Sequence, residues 1–266
     1  MQSIRPPAVA GLFYPADPRI LRHDILDMLD QAEPAGLTPK AIIVPHAGYI
    51  YSGPVAASAY VLLRSVARRV HRVVLLGPVH RVWVDSLALP SADSFDTPLG
   101  RIPIDTEAVR QLAGLPFVEL NASAHAMEHS LEVHLPFLQT VLEKFSLVPL
   151  LVGGATPEQV ARVLDTLWDG EETLIVVSSD LSHYLPYDAA RQTDQATAEA
   201  ILKLDSHLVG EQACGAHPIN GLLLTARRKG LQPHLLDLRN SGNTAGDKQR
   251  VVGYAAIAFT EAPHEH

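Results

Sequence analysis

The chain has 266 residues, 47% of them hydrophobic and 19% charged, and a net charge of -8. That mix can bury a large core, while the acidic balance and the absence of a Lys/Arg cluster argue against a nucleic-acid partner. Cys214 alone excludes an internal disulfide framework, and an N-terminus without signal-peptide patterning, with no run near the ~20 apolar residues of a membrane span, points to a soluble cytoplasmic protein with no membrane partner.

Apolar spacing at Ile20, Leu21, Ile25, Leu26 and Leu29 predicts a helix over 20–31, with Asp17-Pro18 as its start signal. A strand over 40–45 comes next. Ser52, Gly53-Pro54 and an Ala-rich stretch to Val66 predict a helix with Ser52 as cap and the proline in its first turn. Strands are expected over 72–77 and 84–89, then a helix over 105–112. The face Leu131, Leu135, Leu138, Leu142 predicts a helix over 130–144, whose true first turn Pro136 moves toward Leu135. A strand over 147–152, a helix over 156–168 opened by Pro157, and a strand over 173–178 come after it. Helices over 188–204 and 219–229, the second ended by Gly230, precede strands over 234–238 and 251–259. The polar tail 261–266 is expected to fray. Strands alternating with helices, undivided by any linker, predict one α/β domain over 1–266: a central, mostly parallel or mixed sheet with helices on both faces.

Three apolar runs end on a histidine: Ala41 to His46, Arg72 to His80, and Leu174 to His183. Short Val/Ile-rich runs stopped by Pro or Gly read as buried strands, and ligands in open α/β sheets bind beyond the carboxyl ends of such strands. Taken singly, His46 and His80 each read first as a histidine that hydrogen-bonds its own turn; together, on two strand ends, they supply two of the three protein ligands an open metal site needs. In Ser178-Ser179-Asp180-Leu181-Ser182-His183, Asp180 can orient His183 as an acid–base group, or merely cap a turn. His125-Ala126-Met127-Glu128-His129 spells an inverted zincin pattern, which requires one helix through both histidines, whereas the stronger helix signal begins after Ser130. Glu128 and His129 can line the same pocket because they immediately precede a helix start. Residues 240–247 read as a tight loop, and Cys214 as a buried structural thiol. With no Walker A loop, Gly-x-Gly-x-x-Gly or Gly-x-Ser-x-Gly, nucleotide hydrolysis, Rossmann redox chemistry and α/β-hydrolase chemistry lose support.

Seven segments in order carry a resemblance: Arg5 to Pro15, Pro45 to Tyr49, Gly77 to His80, Thr97 to Gly100, Glu128 to Glu132, Ser178 to His183 and Val252 to Ala256. Through them the chain resembles the Memo family, also called AmmeMemoRadiSam system protein B. The resemblance implies a fold like that of class III extradiol ring-cleavage dioxygenases, which hold non-haem iron(II) with two His and one Glu and use a further His for acid–base chemistry. It implies His46 and His80 as imidazole ligands, and His183 with Asp180 as the acid–base pair. The third ligand, a Cys in eukaryotic relatives, is placed at Thr244 by counting back from Tyr254; a hydroxyl is a weaker donor than a thiolate or carboxylate, with Asp247 or Glu128 as substitutes. Tyr49, Glu128 and His129 are expected at the substrate. The expected cofactor is a divalent metal, iron(II) first, with copper or zinc as alternatives. The resemblance also implies association with a radical-SAM protein.

Two readings result. One is a metal-dependent, dioxygenase-like enzyme acting on a small substrate. The other is a non-catalytic module that keeps the pocket to bind a metabolite, a metal or a peptide. A zinc hydrolase built on His125, Glu128 and His129 is a third, and it requires that stretch to be helical.

Overall fold

The computed structural model describes residues 3–262, so residues 263–266 of the tail lie outside the described residues. In chain order the elements are β1 (Ile4–Arg5), α1 (Pro18–Gln31), β2 (Ala41–Val44), α2 (Tyr49–Tyr60), β3 (Arg72–Pro78), β4 (Leu87–Leu89), β5 (Ser94–Thr97), β6 (Gly100–Pro103), α3 (Thr106–Ala113), β7 (Val118–Leu120), α4 (Ala122–Ala126), α5 (Leu135–Val141), β8 (Ser146–Val152), α6 (Pro157–Thr166), β9 (Thr173–Ser178), β10 (His183–Leu185), α7 (Tyr187–Leu202), α8 (Ala216–Lys229), β11 (Gln232–Asn240) and β12 (Val251–Thr260).

Local chemistry sets the ends of several helices. The Asp17 carboxylate accepts from the N–H groups of Arg19 and Ile20 at 2.8 and 3.1 Å and starts α1, with Pro18 in its first turn. Thr156 and Gln159 cap α6 reciprocally. Gly230, at φ 69°, ends α8 in the left-handed conformation that glycine adopts without a Cβ penalty. Two differences from the expected boundaries have a clear local cause. α2 starts at Tyr49, and Ser52 lies inside it with its hydroxyl on the Ala47 carbonyl. The Tyr49 N–H on the Phe13 carbonyl and the Tyr49 ring in the core fix that earlier start. The expected helix over 130–144 shortens to a 3-10 turn over Glu132–His134 and then α5, as Pro136 requires.

The main sheet has nine strands in the order β10-β12-β2-β9-β3-β8-β4-β7, with β11 also on β12; β1, β5 and β6 form a separate small sheet. At its centre β2, β9, β3 and β8 run parallel, while β12 and β4 run antiparallel to their central neighbours. Side chains alternate between faces along each strand. Ile42, Val44, Val73, Leu75 and Val176 pack with α1, α2 and α5. Ile43, Val74, Leu76, Ile175 and Val177 pack with α3, α6 and α8. Both faces are therefore buried, which is why the central strands read as continuous apolar runs. No helix among the described residues is long and apolar enough to cross a membrane.

One buried ion pair ties the N-terminal segment to this body. Glu132 is fully buried and accepts from the Arg5 guanidinium, the N–H groups of Ala8 and Val9 at 2.8 and 2.9 Å, and the Tyr14 hydroxyl at 2.6 Å. Arg5 in turn donates to the carbonyls of His125 and Glu128 at 3.1 and 2.6 Å. Breaking such a pair strands a buried cation. Glu132→Ala is expected to lower stability in urea by about 3–5 kcal/mol; a loss below about 1 kcal/mol would show that the pair behaves as an exposed one.

Candidate metal centre

β2, β9 and β3 are adjacent and parallel, so their carboxyl ends meet at one edge of the sheet. Pro45-His46 leaves β2, Val79-His80 leaves β3, and Ser178, the last residue of β9, stands between them. His129 arrives from the segment between α4 and the 3-10 turn. One ring nitrogen from each of His46, His80 and His129 falls within 4.8 Å of the others. The ring of His80 stacks on that of His129 at 4.7 Å, and the His46 ring meets both edge-on at 5.1 and 5.4 Å. His46 is buried, His129 half-buried and His80 exposed, so the cluster opens on the His80 side.

The rings of His46 and His80 each have a polar partner at Nδ1. Nδ1 of His46 lies 2.7 Å from the Ser178 hydroxyl. The buried Glu128 carboxylate receives the His80 backbone N–H at 2.6 Å, His80 Nδ1 at 2.9 Å, and the N–H groups of His129 and Ser130 at 2.9 and 3.0 Å. Burial alone would raise the pKa of this carboxyl; the His80 ring and the backbone donors outweigh it and hold the pKa at about 2. Burial, then the neighbouring imidazoles of His80 and His129, push His46 well below the usual histidine range. His129 is lowered too, mainly by burial.

Asp180 hydrogen-bonds His46, 134 residues back, and acts on His183 through charge alone. Its Oδ1 accepts the His46 N–H at 2.8 Å, and its Oδ2 lies 3.9 Å from His46 Nε2; burial raises its pKa. His183 is half-buried on β10, near enough for its charge to bear on Asp180 and His46. The β10–β12 register slips between His183 and Leu185, and Tyr184 takes φ 61° there, a bulge of the kind that re-aims a neighbouring side chain. The buried Asp194 accepts the Ser182 N–H at 3.0 Å and fills the space where a Cβ on Gly253 would lie 2.0 Å from its Oδ2, so glycine is required at 253.

Several expected roles change. Tyr49 is buried, its ring packs on Tyr14 and Phe137, and its hydroxyl donates to the Val133 carbonyl at 2.6 Å. Glu128 is occupied by His80 and the backbone. His129 stands among the candidate ligands. Thr244 donates its hydroxyl to the Ser241 carbonyl at 3.2 Å, inside its own turn, and Asp247 accepts from the N–H groups of Gln249 and Arg250. A sulfur does lie nearby: Sγ of Cys214, on the approach to α8, is 3.4 Å from His46 Nε2. Burial and the Asp180 charge push that thiol up to about 12. The inverted zincin arrangement does not form: the helix stops at Ala126, and His125 turns away to the Ala88 carbonyl at 2.9 Å.

A mixed α/β sheet carrying an imidazole cluster at its parallel strand ends defines the class. Comparisons give the family. A family model described as Memo-like protein matches residues 5–258. A MEMO1 family protein of Sulfolobus acidocaldarius is 36% identical, the match covering 96% of this chain and 99% of that one. A second, from Aquifex aeolicus, is 37% identical with the same coverage. The chain belongs to the Memo-like family. An uncharacterized protein of Escherichia coli K12 shares the fold, with a TM-score of 0.55 and 13% identity over 81% of this chain and 98% of that one.

The Glu128 carboxyl, depressed from 4.5 to about 2, contributes stability that is complete above the unfolded value and lost as pH falls through the folded one, about 3 kcal/mol in all. Urea unfolding between pH 5 and pH 2 should therefore weaken more steeply in wild type than in Glu128→Gln. Parallel pH profiles would show that Glu128 is not held ionised by His80.

Proposed function

We propose that the protein holds a divalent metal, iron(II) first, on Nε2 of His46 and of His80, with Cys214 and His129 as adjoining donors, and that His183 exchanges protons with a small substrate at the open side. The observation that carries this reading is the approach of three imidazole nitrogens within 4.8 Å of one another. Metal ligands must be unprotonated, and burial favours neutral His46 and His129. With Nδ1 of His46 on Ser178 and Nδ1 of His80 on Glu128, Nε2 is the nitrogen each ring has for the ion, at His46 in place of the Cys214 thiol proton.

The sulfur fits the same set. A sulfur and a nitrogen on one tetrahedral ion, bonded at about 2.3 and 2.0 Å, stand roughly 3.5 Å apart; Cys214 Sγ and His46 Nε2 are 3.4 Å apart. The thiol keeps its proton beside Asp180, and a divalent cation reverses that preference. Imidazole and thiolate suit iron, copper and zinc alike; the likeness to extradiol dioxygenases favours iron(II).

When bound, such an ion supplies Lewis acidity and, as iron, redox chemistry with oxygen. The chain supplies the rest. Glu128 holds the His80 ring in one orientation. Asp180 fixes the backbone of His46 and places a negative charge beside the centre. His183, half-buried and near enough for its charge to bear on His46, is the candidate general acid or base.

Anaerobic titration with iron(II) should show one equivalent bound below micromolar dissociation constants. His46→Ala and His80→Ala should abolish it, and His183→Ala should leave it unchanged. With Co(II) in place of iron, Cys214→Ser should remove a sulfur charge-transfer band in the near ultraviolet. Binding that survives His46→Ala would refute the metal reading.

A further inference from the structure

Ser178 is fully buried at the end of β9 and has three polar neighbours but one proton. Its oxygen lies 2.6 Å from the Ser130 carbonyl, 2.7 Å from His46 Nδ1 and 2.8 Å from His134 Nε2. A carbonyl can only accept, so the contact with Ser130 requires the hydroxyl proton. Giving that proton to either imidazole would set two bare oxygens 2.6 Å apart in a site that excludes water. Both imidazoles must therefore donate to Ser178, whose two lone pairs they fill. His46 then carries its proton on Nδ1, and His134 on Nε2. His134 Nδ1, left bare, accepts from the Tyr60 hydroxyl at 2.9 Å. Every proton in the chain Tyr60–His134–Ser178–His46 then has one place and one partner. Burial pushes Tyr60 well above and His134 well below their ordinary values, so neither group changes charge near neutral pH.

We propose that Ser178 is a positioning residue that locks His46 as its Nδ1–H tautomer and so reserves Nε2 for a ligand, with His134 and Tyr60 backing the hydroxyl from the core. The lock explains a detail that the metal donors alone leave open. His46 is buried on all sides, and without a fixed acceptor at Nδ1 its proton could sit on Nε2 and close the site. The Ser130 carbonyl ties the lock to the segment that bears Glu128 and His129, so the tautomer and the third imidazole are set together. The assignment of tautomer stands on hydrogen-bond geometry alone; its consequence for metal affinity rests on the metal reading above.

Long-range 1H–15N correlation spectra of the metal-free protein read the His46 tautomer directly, and a Co(II) titration reads its consequence. Wild type should show Nδ1 protonated and Nε2 bare. Ser178→Ala should give mixed tautomers and a Co(II) affinity about 10–100-fold weaker, the usual cost of losing an outer-shell partner. Ser178→Thr, which keeps the hydroxyl, should recover both. An Nε2–H tautomer in wild type, or an unchanged His46 in Ser178→Ala, overturns the proposal. The wild-type spectrum decides the matter even where Ser178→Ala does not fold. A wild type that holds the Nδ1–H tautomer yet binds no Co(II) would sustain the lock and remove the metal reading instead.

Discussion

Three parallel strands, β2, β9 and β3, lie side by side and stop at the same edge of the sheet. The candidate site is built from residues at and just past those ends. Parallel neighbours bring their carboxyl termini together whatever their separation in sequence, and the chain places His46, Ser178 and Asp180, and His80 there. The helices on both faces bury the strands and leave that edge as the place where polar side chains gather. The edge is useful only because the strands are rigid: Ile42 to Val44, Val73 to Leu76 and Leu174 to Val177 are at most 1% exposed, so the residues after them start from fixed positions.

Gathering polar groups in a buried place is costly unless each finds a partner, and the site is organised around that demand. Glu128 collects four donors, three of them backbone N–H groups, and in doing so joins the His80 loop to the His129 segment. Asp180 collects the His46 N–H. Farther out, Arg5 and Glu132 neutralise each other and brace the segment that carries Glu128 through its own carbonyl. Ser178 and Glu128 take the Nδ1 sides of His46 and His80. One ring nitrogen from each of His46, His80 and His129 then lies within 4.8 Å of the others, a grouping that could hold a metal ion.

The central strands and the positions of His46 and His80 are legible in the sequence, because a short apolar run stopped by proline or glycine carries its own signal. The small sheet of β1, β5 and β6 is not, since strands of two to four residues have no pattern to read. The site's other members come from distant chain. Cys214 is 168 residues from His46, and nothing in Ala213-Cys214-Gly215 announces that the thiol meets an imidazole. Asp180 lies three residues before His183, which suggests a local pair, but its carboxylate reaches 134 residues back to the His46 backbone. Tyr49 comes so soon after His46 that a pocket role looks natural, yet the helical start at Tyr49 turns its ring into the core. For Asp180 and Tyr49 sequence neighbourhood suggests one partner and tertiary packing supplies another.

The central claim is that the imidazoles at the strand ends share one metal ion. Crystals loaded anaerobically with iron(II), with anomalous scattering recorded on both sides of the iron edge, test it most directly. The expected result is a single anomalous peak within bonding distance of Nε2 of both His46 and His80, with sulfur from Cys214 beside it. A peak at another place in the molecule, or none at this edge in fully loaded crystals, would contradict it.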